Sequence, residues 1–418
     1  MPSVGYAGAA RATTSISAAN APMRGLIQLT PVVLVLALLQ APARAQPPAD
    51  FSAEYARLKQ GRTYARDVKT GALKKRHGAY PYWLVVPASY DPAKRYQVRF
   101  QLHGGVMRDD SSLRGDGTVR LPGDEQIYVM PAGWSGAPWW SDAQVTSLRR
   151  ILEDVKGEYN VDENRVVIAG VSDGGTGAFY IAMRDTTPYA AFLPLNAYVL
   201  VLRNPALEIR TGLFLNNLRN KPFYLVNGGR DPLYPIATVE PSIAYLHGIG
   251  VPVTYRPQVE AGHDTSWWPA LKGDAEQFVR THPRVPLPDK LTWETSDART
   301  ANRAHWLIID ALGTTASDAK LDDPNVSGGQ RIFPNGKSGR VDLTRRGNTV
   351  TALTRGVKEL TLLLSPDQFD FTHNVVVQVN GRTVFDARVE KSVDTLRKWA
   401  SRDNDRAMLF AAEIRIRP

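Results

Sequence analysis

The chain has 418 residues, of which 43% are hydrophobic and 22% are charged, and this composition indicates a folded protein and excludes a disordered one. It contains no cysteine, which excludes disulfide bonds, thiolate catalysis and thiolate metal sites. The net charge of +10 is spread along the sequence without an arginine- or lysine-rich arm, so nucleic-acid binding is not expected.

Residues 1–45 have the features of a signal peptide. Met23-Arg24 supplies a short positive region, residues 26–39 are mostly apolar, and Ala43-Arg44-Ala45 matches a small-x-small cleavage site. We expect cleavage after Ala45 and export to the periplasm or the cell exterior, with Met23 as an alternative start of translation. The alternative is an uncleaved anchor, although the apolar stretch is short for a membrane span. After cleavage no stable membrane span is expected.

Strand and helix patterns alternate from residue 80 to residue 281. The predicted strands are Tyr80–Pro87, Tyr96–Leu102, Glu125–Pro131, Arg165–Ala169, Phe223–Val226 and Val251–Pro257, and the predicted helices are Ser141–Tyr159, a segment after Gly174, Pro241–His247 and Ala270–Thr281. This alternation predicts a doubly wound, mainly parallel sheet of the α/β class. We assign it to a domain covering residues 46–285.

A proline-punctuated linker, residues 282–288, ends the alternating pattern, and beyond it helical periodicity is mostly lost. Short strands are predicted at Trp306–Ile309, Val341–Leu343, Leu360–Leu364, Val375–Val379 and Thr383–Phe385. Asn380-Gly381, between the last two, is a strong signal for a two-residue hairpin turn. Residues 290–418 are therefore predicted to form a small, β-rich accessory domain that resembles a sandwich.

Ser172 lies in the motif Gly170-Val171-Ser172-Asp173-Gly174-Gly175, which follows a predicted buried strand and precedes a predicted helix. This strand, turn and helix is the context expected for a Gly-x-Ser-x-Gly nucleophile elbow. A serine hydroxyl needs an exposed turn, a histidine base and oxyanion donors to attack a carbonyl group. The alternative is a chance match in a glycine-rich loop, which the flanking elements disfavour.

His103-Gly104-Gly105 ends an early strand, where this type of fold carries the loop that contributes one oxyanion N–H group. Gly105 is the expected donor from that loop, and the N–H group of Asp173 is the expected second donor. His103 is interpreted as a structural residue that braces the loop.

His263 is the predicted general base, because it alone among seven histidines follows the last core strand on a loop, next to Gly262. Asp231, directly after the strand Phe223–Val226, is the preferred acid that would orient the imidazole ring. Glu260 remains a rival for that role, whereas Asp264 is too close in sequence to His263 to turn back onto its ring.

Two features allow more than one interpretation. Asp173 places a carboxylate beside the expected oxyanion hole, either as a first-turn residue favoured by the helix dipole or as a group that recognises a polar or positive part of the substrate. Tryptophans flank the expected active face, where they could line a substrate pocket or pack in the core beneath long loops. They are Trp134, Trp139, Trp140, Trp267 and Trp268.

With these pieces the chain resembles the α/β-hydrolase esterases, in particular the branch with polyhydroxybutyrate-depolymerase-like, feruloyl-esterase-like and prolyl-oligopeptidase-like catalytic domains. The matching segments are Leu102–Gly105, Tyr159–Val166 leading into Gly170–Gly175, Asp231–Pro235 and Gly262-His263, within about residues 75–285. The resemblance implies a serine mechanism with nucleophile Ser172, acid Asp231, base His263 and oxyanion loop residue Gly105. Asp173 departs from many relatives, which have Met or Gln there. Residues 290–418 look like an accessory domain of exported bacterial members.

The leading hypothesis is hydrolysis of a small-molecule or polymeric carboxylic ester through an acyl-enzyme, with no metal or cofactor required. A peptidase or amidase would use the same groups. A hypothesis of another class is a non-catalytic protein of the cell envelope that uses the hydrolase scaffold and the β-rich domain to bind a polysaccharide or another envelope partner.

Overall fold

The computed structural model describes residues 50–106, 121–328, 330–333 and 336–418. The predicted signal peptide, residues 1–45, lies outside these ranges. Within them, no helix combines the length and the apolar character needed to cross a membrane.

The described residues form six α-helices, nineteen strands and three short 3₁₀ helices. The α-helices are α1 (Phe51–Gln60), α2 (Asp142–Glu158), α3 (Asp173–Arg184), α4 (Ile236–Gly248), α5 (Trp268–Thr281) and α6 (Val393–Asp403). The first eight strands are β1 (Gly71–His77), β2 (Tyr80–Val86), β3 (Tyr96–Leu102), β4 (Ile127–Pro131), β5 (Val161–Val171), β6 (Ala191–Leu195), β7 (Phe223–Leu225) and β8 (Val253–Tyr255). The 3₁₀ helices Val199–Arg203, Pro205–Leu207 and Leu215–Asn220 lie between β6 and β7.

Strands β1 to β8 form one sheet in the order β1-β2-β4-β3-β5-β6-β7-β8. The six strands from β4 to β8 in that order are parallel, and β1 and β2 join one edge in antiparallel pairing. Helices cover both faces, so this part of the chain has the α/β-hydrolase fold that the sequence predicts.

The alternation of side chains along β5 explains how one strand supports helices on both faces. Val166 and Ile168 belong to the hydrophobic cluster that contains the buried side of α2, α3 and α4. Val167 and Ala169 belong to a separate cluster that contains the buried side of α5. Since successive residues of a strand point to opposite faces, a nearly continuous apolar strand is the expected centre of a doubly covered sheet.

The C-terminal part is rich in β-structure, as predicted. Its strands are β9 (Lys290–Thr295), β10 (Arg303–Ala304), β11 (Leu307–Leu312), β12 (Val326–Ser327), β13 (Gln330–Arg331), β14 (Gly339–Arg346), β15 (Thr349–Arg355), β16 (Val357–Leu364), β17 (Val375–Val379), β18 (Arg382–Ala387) and β19 (Ala412–Ile416). They form a five-stranded sheet, β18-β17-β15-β14-β9, a four-stranded sheet, β10-β11-β16-β19, and a two-stranded ribbon, β12-β13.

The two larger C-terminal sheets share one hydrophobic core, to which Val341 of β14, Leu362 of β16 and Trp399 of α6 all contribute. The predicted hairpin turn is confirmed, because Val379 pairs with Arg382 and both intervening residues, Asn380 and Gly381, have positive φ. The expectation that helical periodicity is mostly lost beyond the linker misses α6, which buries Leu396 and Trp399, the latter within this core.

Buried polar contacts connect the C-terminal part to the part with the α/β-hydrolase fold. Arg284 and Asp405 form an ion pair with a shortest N–O distance of 2.7 Å, and their side chains are 0% and 2% exposed. Asn217 and Glu294 exchange two hydrogen bonds of 2.9 and 2.8 Å between the Asn217 amide and the Glu294 main chain. Residues 48–418 accordingly form one compact unit. The proposed division near residues 285–290 stays a prediction.

Candidate active site

Ser172 lies at the sharp turn between β5 and α3. Its φ is 57° and its ψ is −118°. A positive φ is a strained backbone conformation for a residue other than glycine. The turn is anchored to the neighbouring strand β6, because the Ser172 N–H group donates to the Leu195 carbonyl at 2.9 Å. The side chain is consequently presented above the end of the sheet rather than within the helix.

Two glycines of the motif are required by close backbone approach. A Cβ atom at Gly174 would overlap the carbonyl oxygen of Leu102, at the end of β3. A Cβ atom at Gly170 would overlap the carbonyl oxygen of Gly174, across the turn. The elbow can therefore fit between β5 and the end of β3 only with hydrogen atoms at these two positions.

Ser172, His263 and Asp231 lie together in one chain of hydrogen bonds. The Oγ atom of Ser172 is 2.9 Å from Nε2 of His263, and Nδ1 of His263 is 2.6 Å from Oδ2 of Asp231. Asp231 is fully buried at its side chain, whereas the imidazole is 21% exposed. The residues come from the ends of β5, β7 and β8, three parallel strands whose carboxyl ends meet at one edge.

Asp231 is fixed by its own loop. Its Oδ1 atom accepts hydrogen bonds from the N–H groups of Leu233 at 2.8 Å and Tyr234 at 2.9 Å, which leaves Oδ2 to face His263. The rival Glu260 does not take this position, since its carboxylate is 72% exposed and pairs with Arg230. Sequence reasoning placed Asp231 after the first strand that follows the elbow's helix. In the structure β6, which was not predicted, comes first, and Asp231 follows the next strand, β7.

The loop that carries His263 is braced by Asn196, a residue that sequence reasoning did not single out. The Asn196 side-chain amide donates to the Asp264 carbonyl at 2.6 Å, and its N–H group donates to the Val226 carbonyl at 2.7 Å. Asn196 is fully buried and has a φ of 46°. A buried asparagine directly after an apolar strand is the signal that could have identified it.

The His103-Gly104-Gly105 loop lies against the elbow. Nδ1 of His103 is 2.8 Å from the Gly104 carbonyl, and its Nε2 accepts from the N–H group of Gly133 at 3.0 Å. These bonds support the structural role expected for His103. Gly105 has a φ of 66°, and its N–H group has no hydrogen-bond partner among the described residues.

Asp173 has a contact that neither sequence interpretation included. Its Oδ2 atom accepts a hydrogen bond of 2.9 Å from the N–H group of Val106, the residue after Gly105. It also occupies the first turn of α3, where the helix dipole favours a negative charge. The carboxylate thus connects the elbow to the His-Gly-Gly loop.

Tyr198 and Tyr234 form an aromatic pair beside the imidazole that sequence reasoning missed. The rings of Tyr234 and His263 are 5.7 Å apart in an edge-to-face arrangement, and those of Tyr198 and Tyr234 are 6.3 Å apart. Burial, reinforced by the carboxylates of Asp173 and Asp231, raises the pKa of Tyr234. The phenol is therefore neutral at physiological pH.

The structure corrects the assignment of most tryptophans to a substrate pocket. Trp139 and Trp140 are 0% and 4% exposed in the core beneath α2 and α3, and Trp267 and Trp268 are 6% and 3% exposed in the core beside α5. Trp139 also donates to the His103 carbonyl at 2.8 Å and so supports the loop. Only Trp134 of the five is partly exposed.

Comparison with known proteins gives distant structural likenesses. No family model matches the chain, and no curated protein matches its sequence. It is similar to a thermostable esterase at 21% identity and a TM-score of 0.41, over 51% of this chain and 62% of that one. The match therefore covers less than two thirds of that esterase's length. It is similar to a ferulic acid esterase at 19% identity and a TM-score of 0.37, over 50% and 97% of the two chains. Esterase 2 of Thermogutta terrifontis gives 17% identity and a TM-score of 0.39, over 52% and 97%. The function of this chain must rest on its own site geometry.

Proposed function

We propose that the protein is an exported serine hydrolase that cleaves small-molecule or polymeric carboxylic esters through an acyl-enzyme. The observation that carries this proposal is the continuous chain of hydrogen bonds from Ser172 through His263 to buried Asp231, located at a strained elbow. A buried carboxylate that holds an imidazole against a serine hydroxyl is the arrangement that activates a serine nucleophile.

In the acylation step, Oγ of Ser172 attacks the ester carbonyl carbon while Nε2 of His263 takes the hydroxyl proton. Asp231 holds the imidazole in the tautomer with a proton on Nδ1 and stabilises the imidazolium that forms. Collapse of the tetrahedral intermediate breaks the ester C–O bond, and His263 gives its proton to the departing alcohol. Water then attacks the acyl-serine by the same route, which releases the acid and restores Ser172.

The oxyanion of each tetrahedral intermediate would be held by the N–H groups of Gly105 and Asp173. Support comes from the N–H group of Gly105, which has no hydrogen-bond partner among the described residues. Support also comes from the position of Asp173 in the first turn of α3, where N–H groups have no intrahelical acceptor. The hydrogen bond from Val106 to the Asp173 carboxylate would keep the two donors at a fixed separation.

Labelling with a fluorophosphonate probe tests the nucleophile. We expect Ser172 to be labelled in the wild type and Ser172→Ala to remain unlabelled, because only an activated serine reacts with the probe. Ser242→Ala is the matched control, since the Ser242 hydroxyl is occupied by the Val239 carbonyl in α4, and its labelling should equal that of the wild type. Absence of label on the wild type, or equal label on Ser172→Ala, would favour a non-catalytic protein.

A substrate panel tests the preference for esters. p-Nitrophenyl esters of increasing acyl length and aminoacyl-p-nitroanilides should be compared at equal concentration. We expect hydrolysis of esters to exceed hydrolysis of anilides at every acyl length. Faster cleavage of an anilide would replace the ester proposal with a peptidase or amidase of the same mechanism.

Export is proposed from the sequence features of residues 1–45. If it is correct, protein recovered from the periplasm or medium of a bacterial host should begin at Gln46. Recovery of the chain only from membranes with an intact N-terminus would instead indicate an anchor.

A further inference from the structure

A large cleft lies away from the proposed active site, between α1, α2, α6 and the loop before β10. Its volume is about 990 Å³, and Ser172, Asp231 and His263 are not among the residues that line it. Arginines dominate its walls, and we call it the arginine cleft. Among the arginines that line it are Arg62, Arg149, Arg303 and Arg402.

The arginine cleft carries an excess of positive charge. Eleven Arg and Lys side chains but only six Asp and Glu side chains line it among the described residues. Most of these cations form ion pairs, such as Arg149 with Asp185 and Arg303 with Asp403. Arg184 and Arg299 pair with Asp142 and Asp297, which do not line the cleft. The excess therefore concentrates on the side chains that have no carboxylate of their own.

Arg402 and Arg62 are the clearest of these unneutralised cations. Arg402 forms no ion pair with a carboxylate among the described residues, because nearby Asp403 already binds Arg303 in a two-contact pair. Its guanidinium lies 4.9 Å from the ring centroid of Trp399. Among the described residues, the only hydrogen-bond partner of the Arg62 side chain is the neutral amide of Asn404, whose Oδ1 atom accepts at 3.0 Å.

The charges around Arg402 are mostly positive. Partial desolvation and the positive charges of Arg303 and Arg149 lower the pKa of Arg402, and Asp403 opposes this only in part. An anion placed between these guanidinium groups would remove this repulsion and satisfy N–H groups that now face solvent.

We propose that the arginine cleft binds a multivalent oxyanion, a small molecule with two or more phosphate or carboxylate groups. Planar guanidinium forks match both groups through paired hydrogen bonds, and several such forks in one cleft favour a ligand with several charges. The volume is at the upper end of the range of about 300–1,000 Å³ usual for ligand sites. This site is independent of the proposed ester hydrolysis.

Isothermal titration calorimetry of the full chain, at low ionic strength, tests the proposal. Tripolyphosphate and citrate serve as multivalent phosphate and carboxylate probes, and acetate serves as a monovalent control. We expect saturable binding of at least one multivalent probe, at least about tenfold tighter than acetate. The tighter of the two probes identifies the preferred oxyanion chemistry.

Arg402→Gln and Arg62→Gln should each weaken binding of that probe by about tenfold, since each removes a charge-assisted hydrogen-bond donor. Arg388→Gln is the matched control, because it removes the same charge from an exposed arginine outside the cleft, and it should bind as the wild type does. Ser172→Ala should also bind normally, which separates this site from the proposed catalytic one.

Three outcomes would overturn the proposal. They are the absence of saturable binding by both multivalent probes, unchanged affinity in the two cleft variants, and an equal loss in Arg388→Gln. Thermal melting of each variant verifies that a loss of affinity does not reflect unfolding.

Discussion

Asp173, the residue after the proposed nucleophile, carries a carboxylate close to where the oxyanion of the proposed reaction would form. In the structure, Asp173 uses Oδ2 to accept the N–H group of Val106. A charge-assisted hydrogen bond of this kind is about twice as strong as a neutral one. We therefore interpret Asp173 as a positioning residue for the oxyanion loop, in addition to its role at the start of α3.

Replacing Asp173 tests this interpretation. Asp173→Ala should lower kcat by about tenfold to a hundredfold with little change in KM, because loss of the anchor misplaces one oxyanion donor. Asp173→Asn retains an acceptor oxygen for the Val106 N–H group and should stay within about threefold of the wild type. Steady-state kinetics on a p-nitrophenyl ester provide the measurement.

The same two variants address substrate recognition by Asp173. If this carboxylate recognised a positive group, Asp173→Asn would lose activity on amine-bearing esters but not on neutral ones. Equal relative rates on both substrates would leave only the positioning role. An Ala variant as active as the wild type would contradict the positioning role itself.

The buried acid gives a second test at the scale of single residues. Asp231→Asn should lower kcat by about 10⁴-fold, because an amide N–H group facing Nδ1 favours the wrong imidazole tautomer. Glu260→Gln is the matched control for the rival acid, and its exposed position predicts a change of less than about twofold. A large loss in Glu260→Gln with an active Asp231→Asn would exchange the two assignments.

The residues with local signals were accessible from the sequence, whereas those with only long-range contacts were not. Ser172, Asp231 and His263 each follow a strand within a recognisable loop, and the structure brings the three together. Asn196 instead reaches the site through a contact that is distant in sequence, from its amide to the Asp264 carbonyl. Its position depends on β6 and β7 being neighbours, which no local pattern in the sequence specifies.

At the scale of secondary-structure elements, the elbow depends on the fit between the start of α3 and the end of β3. Gly174→Ala should destabilise the protein by about 1–3 kcal/mol and reduce activity, because its Cβ atom would overlap the Leu102 carbonyl. The atoms that such a Cβ atom would meet are main-chain atoms of Leu102 and His103, which cannot move aside without distorting the end of β3. Urea denaturation with a parallel esterase assay provides the measurement.

Gly157→Ala is the matched control for the elbow glycine. Gly157 lies in α2, and a Cβ atom there would meet nothing within 4 Å. Because alanine is the better helix former, this variant should gain about 0.5–1 kcal/mol and keep full activity. Similar destabilisation in both variants would show that the effect is not specific to the elbow.

Strong periodicity and turn chemistry explain which elements were predictable. The predicted strand Tyr96–Leu102 coincides with β3, and the predicted helix Ser141–Tyr159 exceeds α2 by one residue at each end. Strand β6, Ala191–Leu195, was missed because five apolar residues with an internal proline fit several structures. Helix α4 begins five residues before the expected start at Pro241, since burial of Val239 outweighs the missing N–H donor of the proline.

At the scale of the whole molecule, the ion pair of Arg284 and Asp405 connects the part with the α/β-hydrolase fold to the C-terminal part. Burial alone would raise the pKa of Asp405, but Arg284 and Lys156 more than offset it and hold the pKa well below its usual range. The stabilisation is therefore fully present above the unfolded-state pKa of about 3.9. It is lost as the pH falls through the lower folded-state pKa.

Asp405→Asn should consequently lower the free energy of unfolding by about 3–5 kcal/mol at pH 7, because Arg284 is left buried without its partner. The difference from the wild type should shrink as the pH falls below about 4. Urea denaturation at pH 7, 4 and 2.5 measures both effects. Asp124→Asn, which removes one partner of an exposed pair with Arg280, should cost less than about 1 kcal/mol at each pH.

A pH-independent difference between Asp405→Asn and the wild type would mean that the charge of Asp405 is not what stabilises the junction. The sequence predicted the two parts and the linker between them, but not this pair. Arg284 and Asp405 are 121 positions apart, and their meeting depends on how the completed layers pack.

The main-chain N–H group and the side-chain ring of Tyr234 have separate roles beside His263 and Asp231. Its main-chain N–H group holds Asp231, while its ring forms a wall beside His263 together with Tyr198. Any amino acid except proline supplies the N–H group, so the side chain can vary without loss of the acid's support. Under the proposed function, substitutions at positions 198 and 234 are expected to alter substrate selectivity while the main-chain support of Asp231 is retained.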